Sequence, residues 1–191
     1  LPSGAMERAE SLARSASLML VVGSSLQVWP VAGLPGQAVA AGATLAPIPV
    51  DVDGLDVAQL DALPIAPRLA CVTPSHQFPL GVTLSAARRL ALLQWARRHG
   101  AWVVEDDFDS EYRFRGRPLP SLQGMDRDGR VVYVGTFSKT LFPALRLGFM
   151  IVPHDLRDDL LAVRRATEVH PPRLDQAVLA EGGQLDDPAT F

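Results

Sequence analysis

The chain has 191 residues, of which 48% are apolar and 20% charged, and carries a formal net charge of −3. That composition supports a sizeable core and argues against a disordered chain. With arginine well ahead of lysine and no basic block, it leaves no electrostatic footprint for nucleic acid. The single cysteine, Cys71, excludes an internal disulfide and a multi-cysteine zinc site, and fits a reducing compartment.

Glu7 to Ser15 has helical character, with Ala9, Leu12, Ala13 and Ala16 on one face. Leu1 to Glu10 is polar, so no signal peptide is expected there. Between Arg14 and Asp51 there is no charged residue, which raises a membrane span as one reading. Gln27, Gln37, Ser24, Ser25 and the prolines at 30, 35, 47 and 49 interrupt the apolar helix of about 20 residues that a span needs. A buried α/β segment is the expectation, with no membrane partner. Leu18 to Val22 then reads as a buried parallel strand ending at Gly23, Gln37 to Ala41 as a short helix stopped at Gly42, and Leu45 to Val50 as a strand that its prolines place near an edge.

The central part is more sharply marked. Leu69 to Thr73 is a strand, and Thr83 or Ser85 caps a helix that runs to about His99 and stops at Gly100. Leu90, Leu93 and either Trp95 or Ala96 are expected to face inward, with His99 as a capping residue. Ala101 to Val104 is the next strand, so the three form a βαβ unit with parallel strands. Val131 to Val134 and Leu147 to Val152 are two further strands. Too few residues separate them for a helical crossover, so the last strand should run antiparallel to its neighbours. His154 to Glu168 reads as a surface helix, aspartate-rich first and arginine-rich later, in keeping with the helix dipole. The fold class expected is α/β, a mostly parallel sheet flanked by helices.

Chemically capable residues follow directly on these strands: Ser75, His76 and Gln77; Glu105, Asp106 and Asp107; Thr136, Ser138 and Lys139. Ligands of open parallel sheets bind beyond the carboxyl ends of the strands, so three strands delivering such groups to one rim suggest a composite site. A lysine that attacks a carbonyl must be neutral, which desolvation or a nearby cation achieves. Arg146 could be that cation, or could hold a phosphate by a bidentate contact. Asp106 offers a buried carboxylate that could keep a pyridine nitrogen protonated, and Thr136 and Ser138 offer hydroxyls to phosphate oxygens. From the residues alone, Lys139 reads more readily as a solvated loop lysine and His76 as a hydrogen-bonded structural residue, while the acidic run from Glu105 to Asp109 reads equally as a solvated loop or a metal site.

Three motifs stand in order: Thr73-Pro-Ser-His-Gln-Phe-Pro-Leu-Gly81, Glu105-Asp-Asp-Phe-Asp-Ser-Glu111 and Gly135-Thr-Phe-Ser-Lys-Thr-Leu-Phe-Pro-Ala-Leu-Arg146. Together they resemble the aminotransferase domain of the MocR/GabR family, pyridoxal-phosphate proteins of fold type I, over about residues 42–180. The resemblance implies an incomplete major domain of that fold and pyridoxal 5'-phosphate as cofactor. Lys139 would form the Schiff base and move the substrate's Cα proton. Asp106, rather than Asp107, would pair with the pyridine nitrogen. Arg146, Thr136 and Ser138 would hold the phosphate, and His76 and Gln77 would lie beside the ring; no metal is implied. The substrate would be an amino acid or amine, the assembly a homodimer and the location cytoplasmic. The reaction would be amino-group transfer, or else effector sensing without turnover, as in the regulatory members; a third outcome is an inactive hybrid. Phe108 departs from the family, which often has a tyrosine there to bond the cofactor's phenolic oxygen. The winged helix-turn-helix, the glycine- and serine-bearing phosphate loop and the small C-terminal domain are not recognised in these residues, so no DNA binding by this chain is expected.

Residues 1–41 resemble something different. Leu18-Met-Leu-Val-Val-Gly-Ser-Ser-Leu-Gln-Val-Trp-Pro30 and its flanks are similar to the last part of a sirtuin nucleotide-binding domain. That likeness would place Gly23, Ser24 and Ser25 at the NAD ribose, although a strand and turn with no ligand is the favoured reading and deacylation is not expected. The chain is therefore read as three segments: 1–41 sirtuin-like, 42–180 aminotransferase-like, and 181–191 a polar tail.

Overall fold

The structure, a computed structural model, describes residues 39–40, 42, 44–77, 79–108, 120–137, 147–167 and 173–182. Of the first expected segment, 1–41, only residues 39–40 are described, and of the expected polar tail, 181–191, only residues 181–182, which are helical. In chain order the elements are β1 (Val50–Asp51), β2 (Gly54–Leu55), α1 (Ala58–Asp61), β3 (Leu69–Val72), α2 (Ala86–His99), β4 (Trp102–Asp107), α3 (Leu122–Met125), β5 (Val131–Thr136), β6 (Gly148–Ile151), α4 (His154–Thr167) and α5 (Arg173–Gly182).

The sheet has the order β3-β4-β5-β6, with β3, β4 and β5 parallel and β6 antiparallel to β5. The short link between the last two strands leads to this reversal, as the sequence predicts. Parallel pairing sets Val72 beside Glu105, and Asp106 beside Val134. The two parallel links are made by α2 and by the chain that leads through α3. The fold is thus a mixed, mostly parallel α/β sheet flanked by helices.

Helix α2 has the ends its sequence announces. The Ser85 hydroxyl accepts from the Arg88 N–H at the start, and Gly100 closes it in the left-handed region at φ 61°. Its buried face differs from the predicted one: Leu90 lies outside it, and Leu92 and Arg89 lie within it. Leu92, Trp95 and Ala96 lie fully in the core beside Ala70, Val72, Val103 and Val131, whereas Leu90 is 51% exposed. Apolar residues at 90, 92, 93, 95 and 96 fit two neighbouring helix faces, so periodicity alone does not choose between them. His99 also departs from expectation: its ring meets the Asp61 carboxylate of α1 at 3.0 Å, with Arg98 at 2.6 Å from the same group.

The expected strand Leu45 to Val50 carries no regular structure from Leu45 to Pro49; Thr44 makes an isolated bridge and the ladder of β1 begins at Val50. Pro47 and Pro49 have no N–H to give a ladder. Strands β1 and β2 instead form a two-residue hairpin that Arg88 ties to α2, through both carboxylate oxygens of Asp51 at 2.6 Å and the Gly54 carbonyl. Gly54 sits at φ 93°, and a Cβ there would lie 2.8 Å from the Leu84 Cα. Gly54→Ala is therefore expected to lower unfolding free energy by about 2 kcal/mol or more, measured as a reduced urea midpoint at unchanged slope. A midpoint equal to wild type would contradict this packing.

Candidate functional site

Glu105, Asp106 and Asp107 belong to strand β4 rather than to a loop after it, Asp109 lies outside the described residues, and Thr136 is the last residue of β5. Side chains alternate across a strand, so the three acids divide between two faces. Glu105 (0% exposed) and Asp107 are buried on the face that α2 covers, whereas Asp106, expected as a buried carboxylate, is exposed on the other because the strand's alternation turns it away from the core.

Both buried acids are held by hydrogen-bond donors. The two carboxylate oxygens of Glu105 accept from the Leu122 and Gln123 N–H groups, each at 2.9 Å, at the first turn of α3. Beside it lies Arg89, itself 1% exposed, with a guanidinium nitrogen 3.9 Å from the nearer Glu105 oxygen. Arg89 donates to the carbonyls of Leu84 (3.0 Å), Pro120 (3.0 Å) and Pro74 (2.8 Å). Burial holds the Glu105 carboxyl above its ordinary range, against the opposing pull of the two N–H groups and Arg89. Asp107 accepts from the Tyr133 hydroxyl at 2.7 Å. On the exposed face, Cys71 lies one strand over. Burial first, and then the Asp106 carboxylate, push its thiol up to about 12. Cys71 is therefore expected to react with a disulfide reagent at about pH 8 at least a hundredfold more slowly in the folded chain than in denaturant. Equal rates would contradict the placement.

The sequence-predicted site residues fall into two groups. His76 and Gln77 after β3, Asp106 at the end of β4 and Thr136 at the end of β5 stand at the carboxyl ends of three adjacent parallel strands. By register Asp106 and Thr136 share a face, one pleat apart. His76 and Gln77 are half-buried, and the Gln77 side chain accepts from the Leu80 N–H at 3.1 Å, closing its own loop. The Thr136 hydroxyl makes a long bond of 3.4 Å to the Leu147 carbonyl. Ser138, Lys139 and Arg146 lie outside the described residues. Among the described residues no cluster of three or more His, Cys, Asp or Glu side chains is arranged to hold a metal ion, and no helix is long and apolar enough to cross a membrane.

The described residues fit the cofactor that the resemblance implies. Asp106 displays a carboxylate from a strand end, Thr136 stands on the same face, and Val134 and the neutral Cys71 thiol beside them offer no competing charge. Arg89, Glu105 and the Asp107–Tyr133 pair are the parts that sequence reasoning missed. Nothing local in a sequence says which acid of three will be buried. The alternation of a strand running through the acids is the one signal that could have found them.

The family model described as "Aminotransferase class I and II" matches residues 36–187. The chain is 52% identical over 149 residues to the probable rhizopine catabolism regulatory protein MocR of Rhizobium meliloti, covering 78% of this chain and 30% of the relative. It is 47% identical over 112 residues to the uncharacterised HTH-type transcriptional regulator YdeL of Bacillus subtilis, covering 59% and 24%. The solved structure of LysN, an alpha-aminoadipate aminotransferase from Thermus thermophilus complexed with N-(5'-phosphopyridoxyl)-L-leucine, superposes with a TM-score of 0.75 at 27% identity, covering 96% of this chain and 48% of that one. The chain thus spans less than a third of the two regulators' length and about half of LysN's. Its three-stranded parallel rim and antiparallel neighbour strand, together with these likenesses, place it by descent: the chain belongs to the class I and II aminotransferase family.

Proposed function

We propose that this chain binds pyridoxal 5'-phosphate and uses Lys139 for amino-group transfer from an amino acid or amine. One observation carries the reading. Lys139 is the only lysine in a chain with 18 lysine and arginine residues. Arginine serves wherever positive charge suffices, but it cannot be deprotonated in a protein, so a neutral amine nucleophile is a role that only lysine fills. That lone amine sits in the motif following β5, whose end shares the rim with Asp106.

Bound pyridoxal phosphate supplies an aldehyde carbon and a ring that draws electrons from it. Asp106 would hold a proton on the ring nitrogen, Arg146, Thr136 and Ser138 would grip the phosphate, and His76 and Gln77 would flank the ring. The Lys139 amine would take the aldehyde and later move the substrate's Cα proton as a general base. The domain reading goes with this: 42–180 as an incomplete major domain, 181–191 as a tail, and 1–41 as a sirtuin-like strand and turn without deacylase activity. A homodimer and a cytoplasmic location are part of the same proposal.

A second reading is an effector-sensing module that binds the cofactor without turnover. The greater identity to two regulators, 52% and 47%, than to LysN, 27%, favours it. Adding pyridoxal phosphate should produce a visible absorbance band that borohydride abolishes and that Lys139→Arg never forms. The absence of a band in wild type, or its persistence in the variant, refutes the shared core of both readings. Transfer of the amino group to a keto acid in a coupled assay separates them: turnover supports the enzyme, a band without turnover the sensor.

A further inference from the structure

Of the three acids of β4, Asp106 is the one left exposed, and both of its neighbours in sequence are anchored on the opposite face. Glu105 is fixed by two main-chain N–H groups of α3, and Asp107 by the Tyr133 hydroxyl. Arg89 extends the anchorage. Its three carbonyl contacts join the entry to α2 at Leu84, the segment before α3 at Pro120 and the end of β3 at Pro74, directly before Ser75, His76 and Gln77. One buried guanidinium thus connects the loop after β3 to the strand end that displays Asp106. For stability alone such a buried pair is a poor choice, because apolar residues of similar volume usually do as well or better. Fixing geometry is what such a network does that apolar packing does not.

We infer that Arg89 and Glu105 are positioning residues that set the Asp106 carboxylate at the height and angle of a bound pyridine nitrogen. The inference rests on the proposed pairing of Asp106 with that nitrogen. Both are buried on the side of β4 opposite Asp106. Glu105 acts through the single peptide that joins it to Asp106, and Arg89 through Glu105 and through Pro74. The support has to be tight because a charge-assisted hydrogen bond weakens steeply with distance and angle.

The test compares two ligands on the intact chain: pyridoxal phosphate, and its 1-deaza analogue, in which a C–H replaces the ring nitrogen. Dissociation constants are measured by titration for wild type, Glu105→Gln, Arg89→Lys and Asp106→Asn, with a thermal melt of each. Wild type should prefer pyridoxal phosphate, and Glu105→Gln should lose about tenfold in affinity for it while its affinity for the analogue changes less than about twofold. Arg89→Lys should shift the same ratio in the same direction, and it carries the test should Glu105→Gln fail to fold. Equal weakening of both ligands, or an unchanged ratio, overturns the inference, since loss of general structure would not discriminate between rings that differ in one atom. Asp106→Asn separates the two levels. If it abolishes the preference while the two positioning variants keep it, only the inference falls. If it leaves the preference intact, or if wild type binds neither ligand, the reading of Asp106 falls first and the inference with it.

Discussion

Replacing Arg89 by methionine is expected to lower unfolding free energy by roughly 3–5 kcal/mol, the cost of leaving one member of a buried charged pair without the other. The substitution fills much of the same space but leaves Glu105 in the core without its cation and the carbonyls of Leu84, Pro74 and Pro120 without a shared donor. The loss should depend on pH in a stated direction. Burial already raises the folded-state pKa of Glu105, and Arg89 is among the groups that pull it back. With the folded value above the unfolded one, the folded chain binds the extra proton between the two. Stability therefore falls as pH rises through that window, and the penalty is absent below the unfolded value. Removing Arg89 widens the window upward. The deficit of Arg89→Met, read from urea midpoints, should be largest near about pH 8 and shrink toward about pH 5. A deficit independent of pH would mean that Glu105 is not ionised beside Arg89.

Trp95 carries the second large effect. It is fully buried between α2 and the sheet, stacks on His99 with ring centroids 5.6 Å apart, and among the described residues its indole N–H has no hydrogen-bond partner. Truncation to alanine removes the largest buried side chain of the core and should cost about 3–5 kcal/mol. Trp95→Phe should cost much less, about 1 kcal/mol, because the lost contact area is partly offset by removing a buried donor that nothing satisfies. The two variants melted side by side check this. A phenylalanine variant as unstable as the alanine one would show that the N–H is satisfied in solution.

Much of the scaffold could be read from residues because the signals were local. Ser85 and Gly100 bracket α2, apolar runs mark β3 to β6, and the short link before Gly148 forces the antiparallel turn. The hairpin at 50–55 escaped because two-residue strands have no measurable period, and α1 and α3, at four residues each, are too short to show one. The rim position of Asp106 was legible, but the division of labour among Glu105, Asp106 and Asp107 was not. It depends on β4 continuing through three charged residues, which only partners distant in sequence make tolerable: Arg89, the α3 N–H groups and Tyr133. Charge patterning suggested a solvated loop, and a long-range network overrode it.

The most direct measurement is peptide mapping by mass spectrometry after incubation with pyridoxal phosphate and reduction with borohydride. With a single lysine in the sequence, the chain offers one ε-amine. The account predicts one added pyridoxyl phosphate per chain, on the peptide that contains Lys139, and its loss in Lys139→Arg. A chain left unmodified, or modified only at its terminal amine, would contradict it.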